Sequence, residues 1–323
     1  MSVLLQEPEI EKSTSPLPDF KHHSRSRQPY VIYCLAIALV PVIAAIAALL
    51  IARSSWYIRH QNNSYIAISD YAFTLRDYNC DVVIFGDSSA MTGISPAIIE
   101  AVTSLRTCNI AQPIPVLAIT GNLALDTYLK NNTRPRFLVF QFTPPNFSSK
   151  GPNGTLDGEG ALQLVRHKLD LQTCLLFTRH VVQALDFSEF ILRTALLGRD
   201  RAKGTYDRSW AEIRATHGLF TAPGPPLENC GASLEMREPN PAWVRQLRSE
   251  YSQQGTHVLI YAAPLPACDI TYDYYSKALA QYTDDRLQQF SIHMFNEANH
   301  FTREGAELNS KHIARDIVRA LRE

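Results

Sequence analysis

Asp81-Val82-Val83-Ile84-Phe85-Gly86-Asp87-Ser88-Ser89 is the stretch on which the reading of this chain turns. A short apolar run that ends in turn-forming residues suits a strand buried on both faces, the kind found inside parallel sheets. Downstream, Ser95-Pro96 has the form of a helix start, with a capping residue and then proline at the first helical position, and Ile98, Ile99, Val102 and Leu105 follow at helical spacing. Residues 107–110 predict a second strand, residues 116–129 a second helix ended by Asn131 and Asn132, and residues 137–142 a third strand. Strand, helix, strand, helix, strand within ~60 residues predicts an α/β domain with a parallel sheet and right-handed crossovers.

The sheet pattern resumes only after a long interruption. Pro241 opens a helix through Trp243, Val244 and Leu247 that Gly255 closes; residues 257–263 predict a fourth strand, 290–295 a short fifth and 302–321 a final helix. Residues 148–240 are too long for one crossover and read as an insertion into the sheet domain. Within it Leu162, Val165 and Leu169, then Phe177, Val181, Val182 and Leu185, then Phe190, Ile191 and Ala195 recur at helical spacing, which predicts two amphipathic helices. Residues 219–241, dense in Pro, Gly and Asn, predict an irregular loop. That loop reads as a lid or a substrate-binding edge, and with equal weight the insertion reads as a helical cap that only covers apolar surface or rests on a membrane.

Composition narrows the class further. Of 323 residues 46% are hydrophobic, enough for one substantial core, and 31 basic residues balance 31 acidic ones, so no nucleic-acid partner is expected. Residues 30–52 carry no charge, lie between Arg27 and Arg53, and are long enough to cross a hydrocarbon core of ~30 Å. Pro41 is tolerated in a membrane helix, and Tyr30, Tyr33, Trp56 and Tyr57 mark the ends as interfacial aromatics do. A buried core helix or a cleaved leader fits less well, because the run exceeds the ~7–15 residues of a leader's apolar region. Lys12, Lys21, Arg25 and Arg27 precede the span and only Arg53 and Arg59 follow closely, which predicts a cytoplasmic N-terminus and an extracytoplasmic, periplasmic-type remainder. The expected division is a disordered tail at 1–29, a transmembrane helix at 30–52, a juxtamembrane linker at 53–79 and an α/β domain at 80–323 carrying the insertion. Of six cysteines, Cys34 lies in the span and the others lack metal-type spacing. A disulfide such as Cys230–Cys268 and buried free thiols both remain open readings.

Two segments bear chemistry. Gly86-Asp87-Ser88 stands where the first strand ends and the chain turns, the end of a parallel sheet at which ligands bind. A serine hydroxyl there needs a general base within hydrogen-bond reach. Near the C-terminus, Asn296-Glu297-Ala298-Asn299-His300-Phe301 puts a carboxylate three residues before a histidine, so Glu297 is positioned to orient one ring nitrogen while the other faces the serine.

Together these segments resemble the SGNH/GDSL hydrolase family over about residues 80–147 and 241–321. The resemblance implies a flavodoxin-like three-layer α/β/α sandwich, Ser88 as nucleophile, His300 as base and Glu297 in the acid position, which the family usually fills with aspartate. It also implies an oxyanion hole from the nucleophile's own amide, a glycine amide after the second strand and an asparagine after the third. Here those places hold the Ser88 amide, Ala111 or Gln112 within Asn109-Ile110-Ala111-Gln112-Pro113, and Asn146 within Thr143-Pro144-Pro145-Asn146. The layout is similar to membrane-tethered proteins of this family associated with acyl modification of cell-surface polysaccharides. It implies an esterase or O-acyltransferase acting on acyl, above all acetyl, esters of a polysaccharide or another acylated small molecule, with no cofactor and no metal, and a membrane acyltransferase as partner. Two alternatives stand beside it: an inactive relative that binds polysaccharide or scaffolds a membrane assembly, and a lipid or thioester hydrolase. Elsewhere residues 151–160 read as a flexible loop, His167, His180, His217 and His293 as isolated, and Asp284-Asp285 as a solvated helix end.

Overall fold

The computed structural model describes residues 28–60, 64–148, 158–197, 204–222, 224–230, 233–252, 255–297 and 299–322. In chain order these form α1 (Gln28–Arg53), α2 (Ser55–Arg59), α3 (Ser64–Thr74), β1 (Val82–Gly86), α4 (Ser88–Gly93), α5 (Pro96–Thr103), β2 (Thr107–Asn109), α6 (Ile114–Thr120), α7 (Leu123–Asn131) and β3 (Phe137–Phe142). The insertion supplies α8 (Gly158–His167), α9 (Leu171–Arg179), α10 (Val181–Leu197) and α11 (Thr205–Ala215). Then follow α12 (Pro241–Tyr251), β4 (His257–Ala262), β5 (Leu265–Pro266), α13 (Tyr272–Leu279), β6 (Gln289–Phe290), β7 (Phe295–Glu297), β8 (His300–Phe301) and α14 (Arg303–Ala320). The chain divides into two units, Met1–Val42 and Ile43–Glu323. The described part of the first is the leading half of α1, the one described helix long and apolar enough to span a membrane. The tail predicted for residues 1–29 lies, up to residue 27, outside the described residues.

In the second unit four parallel strands pair in the order β2-β1-β3-β4. Every residue of β1, β2 and β3 is buried, which explains why β1 and, but for Gln141, β3 are apolar throughout instead of alternating, while β2 buries Thr107 and Asn109 beside Cys108. Register shows what covers each face. Gln141 and Tyr261 stand opposite each other in β3 and β4, and both reach α14: Asn309 Nδ2 donates to Gln141 Oε1 at 2.8 Å, and the Tyr261 hydroxyl donates to Asp316 at 3.1 Å. Phe140 and Phe142 point the other way and meet α12, with ring centroids 5.6 Å from Tyr251 and 5.1 Å from Trp243. Helices therefore cover both faces. Two short pairings complete the strand set among the described residues, β5 with β6 in parallel and β7 with β8 antiparallel.

Several elements differ from the sequence reading. The fifth strand expected over 290–295 is divided into the end of β6, a 3₁₀ turn over Ile292–Met294 and the start of β7. Of the flexible loop expected over 151–160, Gly158 to Gly160 open α8 and residues 151–157 lie outside the described residues. The helix expected over 116–129 is two helices, because Gly121 turns the chain with φ +55°, a conformation glycine adopts without a Cβ penalty. The insertion contains four described helices where two were expected. After α11 its chain returns along β2, where Asn109 N donates to His217 O at 2.9 Å, so the sheet edge is covered. The stretch read as a linker contains α3, in which Ile66, Ala67, Ile68, Ser69, Asp70, Tyr71, Ala72 and Phe73 are all buried. A helix covered all round has no amphipathic period to betray it.

Asp70 shows how α3 is held. Its carboxylate accepts Arg166 Nη2 at 3.0 Å and Nε at 3.2 Å and stands 3.1 Å from His167 Nε2, while the Tyr206 hydroxyl donates to it at 3.4 Å. Burial alone would raise its pKa, but the His167 contact and the Arg166 charge outweigh it and hold the carboxyl below its ordinary range. His167, isolated in sequence, also stacks on Phe73 with centroids 3.9 Å apart.

Two disulfides are present among the described residues. Cys80–Cys108 ties the entry of β1 to β2, and Cys230–Cys268 ties the loop before α12 to the chain after β5, while Cys34 and Cys174 are free.

Candidate active site

The site forms at the carboxyl end of β1. Gly86 ends the strand against β3 so closely that a Cβ there would fall on the carbonyl oxygen of Gln141, to which the Asp87 amide donates at 3.3 Å. The next residue turns the chain. Asp87 is the N-cap of α4, its Oδ1 accepting the Ser89 amide at 2.8 Å and the Ser89 hydroxyl at 2.6 Å. Ser88 thus becomes the first residue of a helix that starts at the carboxyl end of an inner strand. It is 7% exposed, and neither its hydroxyl nor its amide has a hydrogen-bond partner among the described residues.

His300 reaches the same place from the other end of the chain. Its Nδ1 lies 2.9 Å from Glu297 Oε2, and the acid is well exposed while the ring is nearly buried. The loop is held to α4 through Thr92, one turn beyond Ser88: the Thr92 hydroxyl donates to Ser88 O at 3.0 Å and accepts the Phe301 amide at 3.3 Å. The Phe301 ring lies against Gly93, where any Cβ would collide with it. Asn299 Nδ2 donates to Thr143 Oγ1 at 3.4 Å, which joins the histidine loop to the exit of β3. No hydrogen bond links the Ser88 hydroxyl to His300 among the described residues; in a resting site such bonds are often long and tighten when substrate arrives.

The proposed oxyanion donors are arranged differently from a free set of amides. Ala111 N donates to Asn109 Oδ1 at 3.1 Å, and Gln112 N donates to Gly86 O at 3.0 Å. Asn146 Nδ2 donates to Asp87 Oδ2 at 2.6 Å, beside the Thr143 amide at 2.7 Å on the same oxygen. Among the described residues the Ser88 amide is the donor left free, and Asn146 keeps the second hydrogen of its amide group for another acceptor.

Several positioning residues escaped the sequence reading. Gln141 Nε2 donates to Ser89 O at 3.1 Å, and Asn309 Nδ2 donates to Gly93 O at 2.9 Å as well as to Gln141. A glutamine inside the apolar run Phe-Leu-Val-Phe-Gln-Phe is the signal that marks it, because a buried polar group needs partners. Tyr65 of α3 lies 5.6 Å, ring to ring, from Phe220, whose amide donates to Met91 O at 3.1 Å. Burial, and after it the charges of Glu297 and Glu159, raise the Tyr65 phenol above its ordinary pKa. No group of His, Cys, Asp and Glu that could hold a metal occurs among the described residues. No family model, curated protein or solved structure matches the chain, so the site is read from its own geometry.

Proposed function

We propose that this protein is a membrane-anchored, extracytoplasmic serine esterase or O-acyltransferase of SGNH type, with Ser88 as nucleophile, His300 as base and Glu297 as the group that orients it. The observation that carries the reading is the meeting of two distant segments: a serine at the start of α4 whose hydroxyl has no partner among the described residues, and a histidine whose far nitrogen is held by a carboxylate at 2.9 Å, joined through Thr92. The strand order β2-β1-β3-β4 agrees with a flavodoxin-like sheet. The two disulfides suit an oxidising compartment and so favour an outward-facing domain, in keeping with the charge bias around the span.

In the reaction Ser88 Oγ bonds to the acyl carbonyl carbon as its proton passes to His300 Nε2. The Ser88 amide and the second hydrogen of Asn146 are the donors for the oxyanion, and the leaving alkoxide takes the proton from His300. Water or a sugar hydroxyl then accepts the acyl group from the serine. An acetyl ester of a cell-surface polysaccharide is the substrate class, and a membrane acyltransferase that supplies acyl groups is the fitting partner.

A second reading is favoured by the engaged amides of Ala111 and Gln112: a domain of this architecture that binds polysaccharide or organises a membrane assembly without turning over. One experiment separates the two. The full chain in detergent, treated with a fluorophosphonate probe, is expected to be labelled at Ser88, and Ser88→Ala is expected to abolish both labelling and p-nitrophenyl acetate turnover. Absence of labelling from mildly acid to mildly alkaline pH would overturn catalysis and leave the binding role.

A further inference from the structure

The last turns of α1 are two-sided. Ala48 and Ala52 are fully buried, while Leu50 between them is 68% exposed. The two alanines share one buried cluster with Leu162 and Val165 of α8 and with Phe187 and Ile191 of α10, and Leu176 and Phe177 of α9 pack at its edge. Hydrogen bonds fix the join: Arg166 Nη1 donates to Ala52 O at 3.2 Å, and Arg53 Nη1 donates to Val165 O at 3.3 Å. Ala48 stands five residues before Arg53, or ~7.5 Å along the helix. Helices α8 to α10 therefore pack beside the final ~7.5 Å of a helix long enough to cross a bilayer, and interfacial amphipathic helices bury their apolar faces to ~5–10 Å.

The outer surface of the same helices is apolar. Leu171 and Val182 are 74% and 72% exposed, and Leu175, Val181 and Leu185 are exposed with them around the α9–α10 elbow. Leu171 and Leu175 repeat at i, i+4 on one side of α9, opposite the buried Thr173. Lys168 and Arg179 are exposed at the two ends of α9, as suits side chains that reach phosphate headgroups. Of the exposed acids, Asp170 is spent on capping α9 through the Thr173 amide at 2.8 Å, and Asp186 and Glu189, one turn beyond Val182 and Leu185 on the same side of α10, bound the apolar patch there. Chain geometry leaves this face little freedom: Leu171 follows Arg166 by five residues, so it lies within ~18 Å of that junction.

We infer that the α9–α10 elbow docks on the phospholipid bilayer crossed by α1, its apolar side chains among the upper acyl chains and its basic ones at the headgroups. The inference rests on α1 spanning that bilayer. It gives the domain a second membrane contact, and the insertion its role.

Two native free cysteines test both statements separately. The full chain is reconstituted in vesicles of phosphatidylcholine and phosphatidylglycerol, and a bimane fluorophore is placed at Cys174 in a Cys34→Ala protein, or at Cys34 in a Cys174→Ala protein. The Cys174 label is expected to lose about half its emission to lipids with a nitroxide near the headgroup and to be shielded from aqueous iodide, as an interfacial depth requires. Val182→Glu with Leu185→Glu is expected to restore iodide access with an unchanged circular dichroism spectrum. A Cys174 label that iodide quenches as freely as a label at Val102→Cys, and that nitroxide lipid leaves untouched, overturns docking. If the Cys34 label is meanwhile quenched by deep nitroxides, the span stands and docking alone fails; if it is not, the spanning reading fails and docking with it. Shielding from both quenchers together with Cys174–Cys174 crosslinking would mean that a second copy covers the face, which also overturns the inference.

Discussion

The side-chain amide of Asn146 donates to the buried carboxylate of Asp87 at 2.6 Å. The aspartate beside Ser88 is thus a clamp between two strand exits, and with Ser89 and Thr143 it gathers four donors at 2.6 to 2.8 Å. A buried carboxylate so fully satisfied holds the turn in one shape, and each donor it gathers would be orphaned by its loss.

Truncations at this clamp should rank by the number of donors they strand. Asp87→Ala is expected to cost ~3–5 kcal/mol and Asn146→Ala ~1–2 kcal/mol, with Asp87→Asn between them, read as shifts of the urea midpoint at constant slope. An Asn146→Ala protein with unchanged stability but no fluorophosphonate labelling would show that the amide works on the substrate instead of on Asp87.

Thr92 should behave as a positioning residue. Thr92→Val removes a donor to Ser88 O and an acceptor for the Phe301 amide, so a loss of ~1–2 kcal/mol and a slower, pH-shifted labelling rate are expected, with Thr92→Ser restoring both. A labelling rate and pH profile left unchanged by Thr92→Val would remove Thr92 from the site.

Glu297 and His300 should not be equivalent. The acid is 63% exposed and the ring 11%, so water replaces much of what the carboxylate provides. His300→Ala is expected to slow labelling by about 10²–10⁴-fold and Glu297→Gln by roughly tenfold or less. Equal losses would mean that the glutamate does more than orient the imidazole.

Most of the sheet was legible because buried parallel strands are written as apolar runs: Asp81 to Gly86, Phe137 to Phe142 and His257 to Ala262 announce themselves. The segments of Ser88 and His300, which the structure brings together through Thr92, stood out because turn chemistry and a His–acid spacing leave a local trace. Thr92, Gln141 and Asn309 were harder to see, since their meaning lies in partners far along the chain; the Asn309–Gln141 bond spans 168 residues. The engagement of the Ala111 and Gln112 amides was also hidden, because an amide leaves no mark on residue type. Pairing of Cys230 with Cys268, left open by spacing alone, needed the loops to be seen side by side.

Acid stability should depend on Asp70. Its pKa is lower folded than unfolded, so its contribution is fully present above the ordinary carboxylate range and is lost as pH falls through the depressed folded value. Asp70→Asn is expected to destabilise the protein by about 3 kcal/mol at neutral pH and to flatten the fall of stability on acidification, measured by urea unfolding across that range. An unchanged acid limb would mean that Arg166 and His167 lend the carboxylate no net advantage.

The burial of α3 has a consequence for where the domain can be cut. Between Arg53, where α1 ends, and Ser64, where α3 begins, the described chain is mostly the short helix α2, and its Tyr57 and Ile58 are themselves buried. A fragment that starts at residue 80, where the α/β domain was expected to begin, would leave the core without Ile68, Tyr71 and Phe73, so a soluble piece of this protein keeps its core closed only if it starts ahead of Ser64.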